Sequence, residues 1–155
     1  MIRKSFISGF VCGAIVAAST VTIGAAARDY LQEQRNIRIA IDFYDALLNE
    51  KDWEKGLQYM GDRYIQHNPN ATDGFEGIKA HIDMLKRDFP ENHGEIKHVF
   101  SNGDLVALHI HNQRSPELRG NAVVDMFRIE NGKVVEHWDV VQAIPEKALN
   151  DNTMF

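Results

Sequence analysis

The spacing of apolar residues changes period once along the chain. Ile37, Ile41, Tyr44 and Leu48 recur at helical intervals and predict a helix over 29–50. Trp53 to Met60 reads as a shorter helix that Gly61 stops. Tyr64 to Pro69 reads as a short extended piece, because the Pro69 ring biases Asn68 away from helical geometry. Asp73, with Glu76 three residues on, has the pattern of a capping box. It opens a helix whose Phe75, Ile78, Ile82, Leu85 and Phe89 form one stripe, closed by Pro90. From Glu95 the period falls to two, predicting strands over 95–101, 104–113, 119–130 and 133–143. Asn102-Gly103-Asp104 and Asn131-Gly132 supply the turns between them.

Helices followed by antiparallel strands predict an α+β domain, with helices packed on one face of a curved sheet. In 104–113, Leu105, Ala107, His109 and His111 share one face, and Val106, Leu108 and Ile110 share the other. Both faces carry apolar residues, so one is expected to meet the helices and line a pocket. The other is expected to meet a second copy in a homodimer. A two-residue loop at Asn131-Gly132 sets Glu130 against Lys133, and regular pairing then sets Phe127 against Glu136 and Asp125 against Trp138. Asp125 thereby falls on a face with Val123, Phe127, Ile129, Val134, Trp138 and Val140, where a lone carboxylate is costly unless it is partnered or used. The same register turns His137 and Asp139 to the opposite face, and a longer loop would reverse them.

Composition suits one globular domain: 155 residues, 44% hydrophobic and 25% charged. The first 27 residues stand apart. Arg3 and Lys4 precede an uncharged apolar run from Phe6 to Ala27 that ends in Ala25-Ala26-Ala27, the pattern of a secretory signal peptide. The run is also about long enough to serve as an uncleaved anchor. The expected division is a signal peptide over 1–27, a domain over 28–144 and a tail over 145–155, with the mature protein periplasmic or secreted. Cleavage removes Arg3 and Lys4 and takes the net charge from -5 to -7, which disfavours nucleic acid or an anionic membrane as partner. It also removes Cys12, the one cysteine, and with it any disulfide or thiol nucleophile. Ser101 and Ser115, the serines beyond the leader, have no G-x-S-x-G setting, and there is no P-loop or G-x-G-x-x-G.

Four motifs in order carry a family resemblance: Tyr64-Ile65-Gln66-His67-Asn68-Pro69, Gly74-Phe75-Glu76-Gly77, Val124-Asp125-Met126-Phe127-Arg128, and Gly132 through Asp139. Together they resemble the SnoaL-like polyketide cyclases of the NTF2-like superfamily, over about residues 35 to 143. The resemblance implies a cone: helices on a curved antiparallel sheet that encloses a pocket. It implies intramolecular aldol chemistry in which a strand aspartate, here Asp125, is general acid/base without metal or other cofactor. Two polar residues on the preceding strand approach that aspartate in the family; here they would be His109 and His111, and the first of them is an amide in the founding cyclases. The superfamily also holds ketosteroid isomerases, scytalone dehydratases, limonene epoxide hydrolases and members without known catalysis, so fold alone does not name a reaction.

The expected site follows. Asp125 moves a proton; His111 and His109 orient it or stabilise an enolate; Trp138, Phe127 and Tyr64 shape the cavity, with His67 at its mouth. The ligand is expected to be a small hydrophobic carbonyl compound. Two alternatives stay open: a non-catalytic module carrying a small apolar ligand, and a metal held by His109 and His111 with His67 or Asp125.

Overall fold

The computed structural model describes the backbone of residues 14–155 and the side chains from Asp29 onward. The first part of the expected signal peptide lies outside the described residues. Helix α1 (Ala14–Tyr44) continues into a π-helical turn, Asp45–Asn49, and a short helix α2 (Trp53–Leu57) follows, with Asp52 accepting the Lys55 amide at its N-cap. Then come β1 (Met60–Gln66), α3 (Gly74–Asp88), β2 (His93–Asn102), β3 (Leu105–Gln113), β4 (Asn121–Glu130) and β5 (Lys133–Ala143). Among the described residues no helix is long and apolar enough to cross a membrane.

The α+β expectation is met, but the antiparallel cone is not. The strand order is β1-β5-β4-β3-β2, β1 runs parallel to β5, and the sheet is open with β1 and β2 at its edges. The segment read as a helix to Met60 followed by a short extended piece divides differently: α2 ends at Leu57, and Met60 and Gly61 already belong to β1. Parallel pairing of β1 needs a crossover, which α3 and the meander β2–β4 supply.

The core lies between the inner sheet face and the helices. Ala40, Phe43, Tyr44 and Leu47 from α1 and its π turn meet Val106, Leu108, Ile110, Phe127, Ile129 and Val134 from the sheet. Ile37, Ile41 and Leu48 pack at the flank of this stripe, one residue off the predicted line. The π turn widens the helix where Asn49 reaches β2: its side chain accepts from the Gly94 amide at 2.8 Å and donates to the Gly94 carbonyl at 3.1 Å. Gly94 is required there, because a Cβ would fall on the Tyr44 hydroxyl. Asn36, fully buried, donates to the Gly103 carbonyl at 2.9 Å and so ties α1 to the β2–β3 turn. Asp73 precedes α3 without capping it; its carboxylate accepts from the Gln66 amide at 2.8 Å and fastens the helix start to the end of β1.

The outer sheet face carries His98, His109 and His111, with Phe100 and Val140 exposed. Part of it is covered by the chain's own tail. The Phe155 ring lies 4.8 Å from His111 and 5.3 Å from His109, centroid to centroid, and Lys97 approaches its face.

Candidate active site

One extra residue in β5 determines which side chains face the pocket. Asn131 (φ 51°) and Gly132 (φ 75°) form the two-residue turn, and Glu130 pairs with Lys133 as predicted. Ile129 then pairs with Val134 but Arg128 with Glu136, leaving Val135 as a β-bulge. Beyond the bulge, Phe127 faces His137 and Asp125 faces Asp139. The predicted facing is therefore corrected. His137 and Asp139 share the inner face with Asp125, and Trp138 turns outward opposite Met126. Val134 and Val135, both buried, were the available signal, since adjacent buried residues break strict alternation.

Asp125 and His137 are each 8% exposed and bond to one another, His137 Nε2 to Asp125 Oδ1 at 3.1 Å. The other ring nitrogen, Nδ1, lies 2.9 Å from Gln66 Oε1. That oxygen also accepts the Asn68 amide at 2.9 Å, so it is an acceptor and Nδ1 carries a proton. The Nε2–Asp125 bond then needs one further proton, on the imidazole or on the carboxyl. Tyr64 and Phe127 flank the imidazole at 6.2 and 5.1 Å, near parallel to it. Asp139 accepts from Asn68 Nδ2 at 2.7 Å.

These groups line a pocket of about 400 Å³ between the inner sheet face, the end of α1 and α3. Phe43, Leu48, Ile78, Met84, Leu85 and Phe127 give it apolar walls, and Asn92, Asn112, Asn121, His81 and Arg114 line it as well. Burial, reinforced by the Asp125 charge, holds the Tyr44 and Tyr64 hydroxyls far above the usual phenol range, so both are proton donors at neutral pH. Partial desolvation, then the charges of Arg114 and His137, hold His81 below the usual imidazole range against the opposing pull of Asp125 and Asp139. His81 is neutral at pH 7 as a result, with a ring nitrogen able to accept a proton.

The candidates read from sequence divide between the two faces. Asp125, Tyr64 and Phe127 line the pocket. His109 and His111 lie on the outer face: β3 sets Leu108 against Asp125, His109 against Val124 and His111 against Ala122. His111 bonds the Arg119 carbonyl at 2.7 Å, and His109 stacks on His98. His67 and Trp138 also lie outside the pocket, stacked on each other at 4.6 Å, with His67 bonded to Glu136 at 2.8 Å. Sequence reasoning left out His137, Asp139, Gln66, Asn68, His81 and Arg114. Among the described residues, one group has the donor atoms to hold a metal: Asp125, His137 and Asp139, within 4.8 Å of one another. Those atoms already bond each other, Gln66 and Asn68, so a cation would have to replace the Asp125–His137 bond.

Residues 38–147 match the family described as SnoaL-like polyketide cyclase, and the chain belongs to that family. Among curated proteins none matches it. Solved structures share its fold. TsrD from Streptomyces laurentii is 21% identical, with 68% of this chain and 87% of that one covered and a TM-score of 0.58. A cystatin-fold protein from Novosphingobium aromaticivorans is 24% identical over 68% of this chain and 97% of its own, with a TM-score of 0.59. A SnoaL-like protein of unknown function from Burkholderia thailandensis is 18% identical over 72% and 97%, with a TM-score of 0.58.

Proposed function

We propose that this protein is a lyase or isomerase that moves a proton at a carbon beside the carbonyl of a small hydrophobic compound, in an aldol-type cyclisation, isomerisation or dehydration. The observation that carries the reading is the buried Asp125–His137 bond in the lining of a pocket with apolar walls. A carboxylate beside an imidazole that can hold the shared proton is a device for taking a proton up and returning it. Tyr64, protonated and stacked beside His137, supplies a donor for a developing enolate oxygen. SnoaL-like membership supports a reaction of this class without naming its substrate.

Proton abstraction is visible before the product is known. In D2O, a hydrophobic ketone taken into the pocket is expected to exchange its α-hydrogens for deuterium faster than in buffer alone, as read by mass spectrometry. Tight binding across a ketone panel with no enzyme-dependent exchange would overturn the reading and leave a ligand-carrying module.

We also propose export, with residues 1–27 as a cleaved signal peptide. Arg3 and Lys4, the uncharged run and the Ala25-Ala26-Ala27 end support it. Protein recovered from the periplasm or medium is expected to begin at Arg28; full-length protein retained in the cytoplasm would end the proposal.

A further inference from the structure

The bulge at Val135 gathers more than a dyad. Asp125 and Asp139 are cross-strand partners on β4 and β5, and His137 lies two residues before Asp139 on the same inner face. One donor atom from each lies within 4.8 Å of the other two. All three side chains line the pocket. The donors are two carboxylate oxygens and an imidazole nitrogen. That set suits zinc, which takes nitrogen and oxygen together, and not magnesium or calcium, which select shells of oxygen.

The groups behind these side chains hold them as metal ligands are held. Nδ1 of His137 donates to Gln66 Oε1 at 2.9 Å, which leaves Nε2 as the nitrogen facing Asp125. An acceptor on the far ring nitrogen fixes the tautomer and makes the near one a better ligand. Asn68 Nδ2 donates to Asp139 Oδ2 at 2.7 Å and orients that carboxylate. Gln66 and Asn68 are themselves pinned, since the Gln66 amide donates to Asp73 and the Asn68 amide to the Gln66 side chain. Spacing agrees with the chemistry. Zinc bonds of about 2.0–2.2 Å in a tetrahedral shell put ligand atoms about 3.4 Å apart. Asp125 Oδ1 and His137 Nε2 are 3.1 Å apart, close to that value already. The third ligand then has at most about 1.4 Å to close, within reach of a carboxylate rotation.

We propose that Asp125, His137 Nε2 and Asp139 form a zinc site on the pocket wall, in which the ion takes the place of the proton between Asp125 and His137. Zinc and that proton compete, so binding of the ion expels a proton. Three protein ligands leave the fourth position of the ion open toward the pocket. Bound zinc occupies the lone pairs that the acid/base step uses, which makes the metal an inhibitor of that step. The inhibition rests on the function proposed above; the metal site does not.

Untagged full-length protein, dialysed free of metal, is titrated calorimetrically with Zn²⁺ alone. It is expected to take up one ion at micromolar or tighter affinity, with Mg²⁺ at least about a hundredfold weaker. Titration in two buffers of different ionisation enthalpy is expected to show about one proton released per ion. Asp139→Asn and His137→Gln are each expected to weaken binding by about tenfold or more. The double variant His98→Gln/His109→Gln, which removes two stacked rings from the outer face, is expected to leave the affinity unchanged. No binding, equal affinity for Mg²⁺, or affinity kept in Asp139→Asn and lost in the outer-face variant would overturn the site. Binding without proton release would overturn the replacement of proton by ion. Deuterium entry into a bound ketone is expected to stop as zinc saturates the protein and to resume with EDTA. Exchange that continues with the site filled would leave the metal site standing and overturn proton transfer by Asp125. Exchange in a protein that binds no zinc would do the reverse.

Discussion

Asp125→Asn is expected to lower turnover by about 10² to 10⁴-fold, the usual scale for loss of a positioned acid/base. The substitution is close to isosteric, and the hydrogen bonding of the dyad can survive it. With Nδ1 of His137 committed to Gln66 Oε1, Nε2 of a neutral ring can accept from the new carboxamide. What disappears is the exchangeable proton and the negative charge that holds it. Tyr64 and Phe127 still clamp the imidazole from either side, so pocket shape and ligand affinity should change little. The measurement is the enzyme-dependent rate of α-deuterium entry, with ligand affinity followed in parallel. Exchange at the original rate would remove Asp125 from the mechanism and shift attention to His81 or Asp139.

That expectation rests on a geometry the sequence discloses only in part. The Asn131-Gly132 turn is legible because both residues must take positive φ, and they do. The apolar run of Val106, Leu108 and Ile110 marks the inner face of β3, and all three are fully buried. The same alternation assigns His109 and His111 to the other face. Their chemical appeal as polar neighbours of Asp125 conflicted with a parity already present in the pattern. The bulge at Val135 is harder to see, because one extra residue leaves the turn and the flanking apolar residues unchanged while inverting every assignment beyond it. That single residue is what brings His137 and Asp139 to the inner face. The parallel pairing of β1 has no local signature: Met60–Gln66 is a short, mostly polar run whose place beside β5 is set by Tyr64 and Met60 entering the core. The family, by contrast, was readable from four short motifs in order, and the match over 38–147 shows it.

The walls of the site are also the protein's core, so Phe43→Ala should disturb both. Phe43 is fully buried on α1, meets Phe127 edge-on at 5.3 Å and lies 6.3 Å from Tyr64. Truncating a buried Phe to Ala removes its transfer free energy and leaves a void, at a typical cost of about 3–5 kcal/mol. Whole-domain stability is about 5–15 kcal/mol, so this is a large share of what holds the fold. Because Phe43 also lines the pocket, the void opens onto it, and water can reach the ring of Phe127 that the truncation uncovers. Phe127 supports His137 from one side, so a looser aromatic cluster should broaden the position of the imidazole against Asp125. Urea unfolding of full-length protein is the test: the midpoint is expected to fall with little change in slope, as for a stability loss within an unchanged fold. Phe43→Leu, which keeps most of the apolar volume, should recover more than half of the loss. A cost below about 1 kcal/mol for Phe43→Ala would mean that the Phe43–Phe127–Tyr64 cluster is not what fixes the pocket's shape.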